Sequence, residues 1–206
     1  MISIAEKNEK RLPMTAVILA GGKSRRLGGI DKPLIAIGGQ RIIDRTFRIV
    51  SNCCQEILIS SNNPQPYTTF PVTTVPDLYP DHGALGGIYS CLRQAVFPYV
   101  LMLAGDMPFI SAAAIRHLWS RHEDYDVILP KSSDGRQPLH AIYNKNCLAA
   151  IKKQLDHGKL KISGFFSEVR VLEIPTEQHP SCFGPRYFFN LNTPADINQA
   201  RQLAKQ

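Results

Sequence analysis

The chain has 206 residues, of which 44% are hydrophobic and 20% are charged. This length and balance are typical of one folded domain and exclude a largely disordered chain. The net charge of +7 favours anionic partners such as phosphorylated small molecules or nucleic acid. The sequence contains no aromatic-and-arginine recognition module of the kind that binds nucleic acid.

The N-terminal segment is polar and charged, and we predict that residues 1–12 form a flexible extension before a single domain, 13–206. The segment lacks the apolar core of a signal peptide, and no apolar run approaches the ~20 residues that span a bilayer. The five cysteines are odd in number, include an adjacent pair and form no C-x-x-C motif. This pattern is not typical of a disulfide framework or a zinc site, and it indicates a cytoplasmic protein without a membrane partner.

Short apolar runs alternate with helical spacing along the rest of the chain. The runs predict strands at Thr15–Ala20, Glu56–Ser61, Tyr99–Ala104, Asp126–Pro130, Leu139–Tyr143 and Val169–Ile174. Apolar residues at helical spacing predict helices near residues 42–50, 85–96, 112–119 and 148–155. Ser111 is a predicted N-cap, and Thr193-Pro194 predicts the start of a last helix.

This alternation predicts an α/β domain with a mostly parallel sheet. In such sheets ligands bind beyond the carboxyl ends of the strands. The segments that follow Ala20, Ser61, Ala104 and Pro130 are therefore the places where a site is expected.

The first of these segments, Leu19–Lys32, combines four glycines with the cations Lys23, Arg25, Arg26 and Lys32. Glycine lets a backbone approach a ligand closely, and successive N–H groups form a concave anion site. A Walker A loop would need glycine where Val17 stands, and no G-x-G-x-x-G is present. The segment predicts a triphosphate-binding loop, while a flexible glycine loop with solvated cations is the alternative interpretation.

Two later segments carry carboxylates. Asp106 directly follows the predicted strand 99–104 and suits Mg²⁺, which takes one or two protein carboxylates plus substrate phosphates. The alternative is that Asp106 closes an Asx-turn. Asp77 precedes a second glycine cluster, 83–87, that opens a helix near Leu85 and offers free N–H groups.

A final segment contains Asn190 and Asn192, which we expect on an extended strand, where they would point to the same side. They are candidates for donating hydrogen bonds to a phosphate or a heterocycle. Asn192 and Thr193 are also expected to cap the last helix.

In this order, the motifs resemble those of the molybdenum-cofactor guanylyltransferases, over most of residues 14–200. That family's L-A-G-G-x-S-x-R-M-G-x-D-K loop is similar to Leu19–Lys32, with Leu27 for Met and one extra residue. Its G-P-L-x-G is similar to Gly83–Gly87, with Ala84 for Pro. Its D-x-P and N-x-N-T-P elements correspond to Asp106–Pro108 and Asn190–Pro194.

The resemblance implies a three-layer, Rossmann-like domain of the nucleotide-diphospho-sugar-transferase type, with a mostly parallel mixed sheet. It also implies a reaction, in which GTP and the molybdopterin form of the cofactor give the guanine dinucleotide form and pyrophosphate. One departure is that Ser60 stands where some relatives have asparagine at the end of the second strand, with Asn62 two residues further on.

The resemblance assigns roles to individual residues. Asp106 would hold Mg²⁺ and Lys32 would bind the phosphates. As a mechanistic hypothesis, Lys32 and Arg26 are catalytic cations that stabilise charge on the phosphates, and Asn190 and Asn192 help to seat the acceptor. The expected nucleotide-binding residues are Leu19, Ala20, Gly21, Gly22, Lys32, Asp77 and Asp106.

Three alternatives stay open. A cytidylyltransferase, or another nucleotidyltransferase for small phosphates, is the nearest; related cytidylyltransferases carry L-A-A-G, so Gly21 favours GTP by family analogy. A non-catalytic nucleotide-binding module of the same fold is the second, and nucleic-acid binding is a distant third. The expected partners are GTP, the molybdopterin cofactor, and proteins that deliver the cofactor or mature the acceptor molybdoenzyme.

Overall fold

The structure is a computed structural model that describes residues 10–21 and 30–205. The described strands are β1 Leu12–Leu19, β2 Ala36–Ile37, β3 Gln40–Arg41, β4 Cys54–Ser60, β5 Thr73–Val75, β6 Tyr99–Ala104, β7 Val127–Ser132, β8 Gly135–Arg136, β9 His140–Asn144 and β10 Val171–Pro175. The described helices are α1 Ile42–Cys53, α2 Gly83–Gln94, α3 Ala112–Trp119, α4 Leu148–Asp156 and α5 Pro194–Leu203. In these ranges, no helix has the length and apolar character needed to cross a membrane.

The central sheet has the order β10-β7-β9-β6-β1-β4-β5, with β8 paired to β7. β6, β1, β4 and β5 run parallel, whereas β9 is antiparallel to both of its neighbours. The chain passes from Ser132 to His140 through a short connection, and parallel neighbours would need a crossover of about a dozen residues. The prediction of a mostly parallel mixed sheet is therefore confirmed. The antiparallel direction of β9 follows from the short connection that precedes it.

Side chains alternate across the sheet and build a core on each face. In β1, Ala16 and Ile18 pack with one buried cluster and Val17 packs with the other. The first cluster takes residues of α1 and α3, and the second takes residues of α2 and α4. This is the predicted three-layer arrangement, and a smaller cluster that includes Leu191 and Ala200 joins α5 to the β2–β3 hairpin.

The predicted helix starts are confirmed by their side-chain caps. Ser111 accepts a hydrogen bond from the backbone N–H of Ala114 at the start of α3. Thr193 and Asp196 form a reciprocal capping box at the start of α5, which begins with Pro194. Helix α2 begins at Gly83, slightly earlier than its apolar spacing predicts.

The carboxyl ends of four neighbouring strands meet at one edge of the sheet. Backbone N–H groups just beyond the strands donate across it: Ala20 to Ser60 O at 2.9 Å and Gly105 to Leu19 O at 3.0 Å. Ser61 donates in the same way to Val75 O at 3.0 Å. The segments after β1, β4, β5 and β6 are thereby placed side by side, where the parallel-sheet rule predicts a ligand site.

Candidate active site

Three predicted residues meet beyond the end of β6. Lys32 Nζ donates to Asp106 Oδ2 at 2.9 Å and to Asn192 Oδ1 at 3.0 Å, although Lys32 and Asn192 are 160 residues apart. The Lys32 and Asp106 side chains are each 21% exposed, so the pair lies at the surface of a cleft and remains accessible to a ligand. We call Lys32, Asp106 and Asn192 the central triad.

Lys32 is aimed at Asp106 by the residues on either side of it. Asp31 accepts a 2.6 Å hydrogen bond from the hydroxyl of Tyr67, whose side chain is buried. Burial, followed by this contact with a carboxylate, raises the pKa of Tyr67, so the hydroxyl stays a donor. Pro33 starts a 3-10 turn at Lys32–Leu34 and packs against Gly105.

Asp106 is held by tight backbone packing at the end of β6. A Cβ on Gly105 would lie 2.6 Å from Pro33 Cγ and 2.7 Å from Leu19 O, so only glycine fits without displacement. The carbonyl oxygen of Asp106 accepts a hydrogen bond from the N–H of Leu191 at 3.1 Å. The Asp106 carboxylate therefore points to Lys32 while its backbone joins β6 to the segment that carries Asn192.

Asn190 and Asn192 reach the site in a different way from the one predicted. The structure has no strand at residues 189–192, so the expectation of an extended strand is wrong. The cap of α5 is the Thr193 side chain, whereas the Asn192 side chain accepts from Lys32. Asp196 accepts from the N–H groups of Asn192 and Thr193, which lowers the pKa of its carboxyl, and this anchors the segment.

A second group forms where α2 meets β1 and β4, and we call it the strand-end group: Leu19, Ser60, Asn62, Asp77 and Gly87. A Cβ on Gly87 would lie 3.1 Å from Ser60 Oγ and 3.2 Å from Asp77 Oδ1. It would also lie 3.8 Å from a methyl carbon of Leu19. The absence of a side chain at Gly87 thus brings the start of α2 close to Asp77 and the end of β1.

Asn62 orients Asp77, a contact that the sequence did not reveal. The Asn62 side-chain oxygen accepts from the N–H of Asp77 at 2.8 Å, and its amide donates to Asp77 Oδ2 at 3.4 Å. Burial raises the pKa of Asp77, and the hydrogen bond from Asn62 opposes that rise. The carboxylate is thereby oriented before any ligand arrives.

The chemistry of Asp106 fits a magnesium ion. No described residue hydrogen-bonds to its Oδ1, so one carboxylate oxygen is open to a ligand. Within residues 10–21 and 30–205, no group of three or more histidine, cysteine or acidic side chains could hold a metal ion. Mg²⁺ bound to phosphates needs only one or two protein carboxylates, so the donor set is adequate.

A cleft of about 640 Å³ opens beside the central triad. Its lining includes Asn190, Asn192 and the turn at 132–134 that joins β7 to β8. The structure therefore brings Lys32, Asp106 and Asn192 into contact, places Asn190 in the adjoining cleft, and puts Asp77 in the strand-end group. Gly22 and Arg26, also predicted for the site, lie outside the described residues.

Comparison with known proteins finds similar sequences along nearly the whole chain. Residues 16–172 match the family described as the MobA-like NTP transferase domain. A probable molybdenum cofactor guanylyltransferase from Pelotomaculum thermopropionicum is 36% identical over 195 residues, covering 94% of this chain and 95% of that protein. The molybdenum cofactor guanylyltransferase of Desulfosudis oleivorans is 33% identical, with 93% and 96% covered.

Among solved structures, the fold is similar to molybdopterin-guanine dinucleotide biosynthesis protein A from Archaeoglobus fulgidus. The TM-score is 0.81 at 25% sequence identity, with 93% of this chain and 99% of that chain covered. The fold is that of the nucleotide-diphospho-sugar transferases, as expected from the motifs.

Proposed function

This chain belongs to the molybdenum cofactor guanylyltransferase family, and we propose that it transfers GMP from GTP to the molybdopterin form of the cofactor. The family resemblance predicted from the motifs is confirmed. The observation that carries the proposal is the central triad, in which a lysine, a carboxylate and an amide from distant parts of the chain converge at the strand ends. A cation and a carboxylate on a cleft are what a triphosphate and its metal require.

In the proposed reaction, an oxygen of the cofactor's terminal phosphate attacks the α-phosphorus of GTP in line. A new P–O bond forms, the bond from the α-phosphorus to the oxygen bridging to the β-phosphorus breaks, and pyrophosphate leaves with that oxygen. No covalent enzyme intermediate is needed. The protein therefore accelerates the reaction by positioning both substrates and by stabilising charge on the phosphates.

Lys32 is the cation that we assign to the phosphates. Its ammonium group already lies between Asp106 and Asn192, so it can contact both substrates without leaving the cleft. We propose Arg26 as a second cation, on the strength of the basic, glycine-rich loop that contains it.

Asp106 is the proposed Mg²⁺ ligand, supported by its open carboxylate oxygen and its place beside Lys32. When bound there, Mg²⁺ supplies neutralisation of phosphate charge and a fixed triphosphate geometry. The carboxylate also holds Lys32, so the same side chain that positions the lysine would hold the metal.

We propose that the nucleotide binds along the end of β1, at Leu19, Ala20, Gly21 and Gly22, with Asp77 as a further contact. A Cβ on Gly21 would lie 3.8 Å from its nearest described neighbour, Ser60 O, so packing among the described residues does not demand glycine there. A ligand that lies against the backbone at this point would account for glycine at position 21. We place the acceptor in the adjoining cleft, at Asn190 and Asn192.

We also propose a cytoplasmic location, a single domain over 13–206, and transient contacts with proteins that deliver the cofactor or mature the acceptor enzyme. No disulfide joins the five cysteines, all of which lie within residues 10–21 and 30–205, and four of them are buried, which supports a reducing compartment. Packing of helices on both faces of one sheet supports the single domain.

The decisive experiment supplies the molybdopterin cofactor and Mg²⁺ with GTP, CTP or ATP in turn and identifies the dinucleotide product by mass spectrometry. We expect the guanine dinucleotide and an equal amount of pyrophosphate with GTP. Product from CTP in place of GTP would identify a cytidylyltransferase. Binding of GTP without any product would identify a non-catalytic module.

A further inference from the structure

A buried polar pair links the sheet to the cleft. Tyr187 Oη and His140 Nε2 share a hydrogen bond of 2.5 Å, with ring centroids 4.8 Å apart in an edge-to-face arrangement. His140 is 1% exposed and Tyr187 is 2% exposed, so solvent does not compete for the bond. Neither residue is marked by the motifs that predict the site.

His140 is fixed to the strand that carries Asp106. It is the first residue of β9 and pairs with Leu103 of β6. The preceding residue, Leu139, accepts a 2.8 Å hydrogen bond from the N–H of Ala104. The imidazole is therefore held next to the end of β6, and Asp106 follows that end closely along the chain.

Tyr187 belongs to a segment without regular structure. Residues 179–192, which we call the C-terminal loop, contain turns but no helix or strand. The Tyr187 ring contacts those of Phe183 and Phe188, at 5.3 Å and 4.9 Å between centroids. Such aromatic packing is non-directional compared with a buried hydrogen bond, which fixes the loop against one point of the sheet.

Packing alone does not account for a histidine at this position. Its Nδ1 is buried and has no hydrogen-bond partner among the described residues. A buried polar atom without a partner destabilises the folded state, and an apolar side chain of similar shape would avoid that cost. Burial lowers the pKa of His140 to about 3, so the ring is neutral at ordinary pH and the bond does not switch with protonation.

We propose that His140 and Tyr187 are positioning residues, which set the C-terminal loop so that Asn190 and Asn192 face the acceptor. Within the loop, Tyr187 is followed closely by Leu191, whose N–H donates to Asp106 O. The next residue, Asn192, accepts a hydrogen bond from Lys32. A shift at Tyr187 is thereby transmitted to both asparagines. This inference rests on the proposed function for its acceptor, but the loop anchoring itself does not.

The test compares Tyr187→Phe with Tyr99→Phe in the full chain. Both changes remove one tyrosine hydroxyl that bonds to another element, but the Tyr99 bond, to His122 O, lies at the opposite end of β6. Hydrogen exchange at residues 187–192 reports on the loop, and exchange at residues 100–103 reports on the sheet. Steady-state kinetics with GTP and the molybdopterin cofactor give a separate KM for each substrate.

For Tyr187→Phe we expect loop exchange to become about tenfold faster while exchange in β6 stays the same. We expect the KM for the cofactor to rise about five- to tenfold, with the KM for GTP and kcat within about twofold, the scale of one lost hydrogen bond. Tyr99→Phe should leave loop exchange and the cofactor KM unchanged.

Three results would overturn the inference. Unchanged loop exchange in Tyr187→Phe would mean that aromatic packing alone holds the loop. Equal acceleration in β6 would mean that the pair contributes only to global stability. Faster loop exchange with an unchanged cofactor KM would mean that the loop does not seat the acceptor. If the unmodified protein makes no dinucleotide at all, the proposed function fails, while loop exchange still decides whether the pair anchors the loop.

Discussion

The strand-end group and the C-terminal loop differ in what holds their residues in place. Leu19 and Ser60 end β1 and β4, and Asp77 follows β5. These three strands run parallel, and backbone hydrogen bonds between adjacent strand ends fix the spacing of the three residues. Asn190 and Asn192 lie in the part of the C-terminal loop without regular structure, and their placement depends on the His140–Tyr187 pair, the Leu191 N–H and the capping box of α5. The first region is positioned mainly by backbone hydrogen bonds between strand ends, and the second depends more on contacts of side chains.

This difference teaches where a change of sequence is tolerated. Backbone-positioned sites survive many side-chain changes, because the strand register sets the geometry. A loop held by a few polar contacts loses its geometry when one of them is removed. The central triad lies between the two regions, because Gly105, next to Asp106, donates to Leu19 O and Asn192 belongs to the C-terminal loop. Its variants are therefore the strongest test of whether the two regions act as one site.

The largest effect is expected for Asp106→Ala, because Asp106 holds Lys32 and is the proposed Mg²⁺ ligand. Its carboxylate binds Lys32 and its carbonyl accepts from Leu191. We expect kcat for pyrophosphate release to fall by about 10²- to 10³-fold, in the range for loss of a preorganised electrostatic contact. A coupled pyrophosphate assay at saturating Mg²⁺ measures it.

Asp156→Ala is the matched control, since Asp156 is exposed on α4 and pairs with Lys152. It should leave the rate within about twofold, because an exposed ion pair contributes little. A near-normal rate for Asp106→Ala would show that the metal assignment is wrong.

Lys32→Ala is expected to have the next largest effect, because it removes the link between Asp106 and the C-terminal loop. Loss of the ammonium group removes its bonds to Asp106 and Asn192, so both substrates lose a contact. We expect kcat/KM for GTP to fall by about 10²-fold, the scale of a lost charge-assisted hydrogen bond. Lys32→Arg should recover part of the loss, because it keeps the charge but changes the geometry.

Isothermal titration with GTP, alongside turnover, measures the effect of the lysine. Lys152→Ala on the surface of α4 is the control and should behave as the unmodified protein does. If GTP affinity and turnover are both unchanged in Lys32→Ala, the lysine is not part of the site.

The strand-end group was largely predictable from the sequence. Continuous apolar runs give strands, alternation with helices gives a parallel sheet, and ligands bind beyond the strand ends. That reasoning located the segment Leu19–Lys32, Asp77 and Asp106 without any long-range information. The family resemblance then gave individual residues their roles, which remain proposals.

The way in which the C-terminal loop reaches the site was not predictable from the sequence, although Asn190 and Asn192 were candidates, and the reason is physical. Lys32 and Asn192 meet across 160 residues, and no local pattern encodes that contact. β9 enters the sheet against the direction of its neighbours, which apolar spacing cannot show. The His140–Tyr187 bond depends on that strand order, because β9 places His140 beside β6.

The smallest effect on catalysis, and the sharpest test of the strand-end group, is expected for Asp77→Asn. Burial raises the pKa of Asp77 above its ordinary value of 3.8, so the folded protein bears a cost for the ionised carboxylate. That cost is absent when the carboxyl is protonated in both states. It grows as the pH rises from the unfolded value through the raised folded value, and it is fully present at neutral pH.

An amide at this position has no such cost and can still accept from the Asn62 side chain. We therefore expect Asp77→Asn to unfold at an equal or higher temperature than the unmodified protein at pH 7, with the difference disappearing below about pH 4. GTP affinity should nevertheless fall by about tenfold, because a charged hydrogen-bond acceptor is lost. Scanning calorimetry across pH measures the first effect, and titration with GTP measures the second.

These two measurements together distinguish a ligand contact from a structural one. Asn62→Ala is the comparison, because it removes the bonds that orient Asp77 and leaves the carboxylate in place. It should weaken GTP binding less than Asp77→Asn does and should not increase stability. If Asp77→Asn lowers stability and leaves GTP affinity unchanged, Asp77 supports the fold of the strand-end group and does not contact the nucleotide. The nucleotide contact must then be sought at the end of β1.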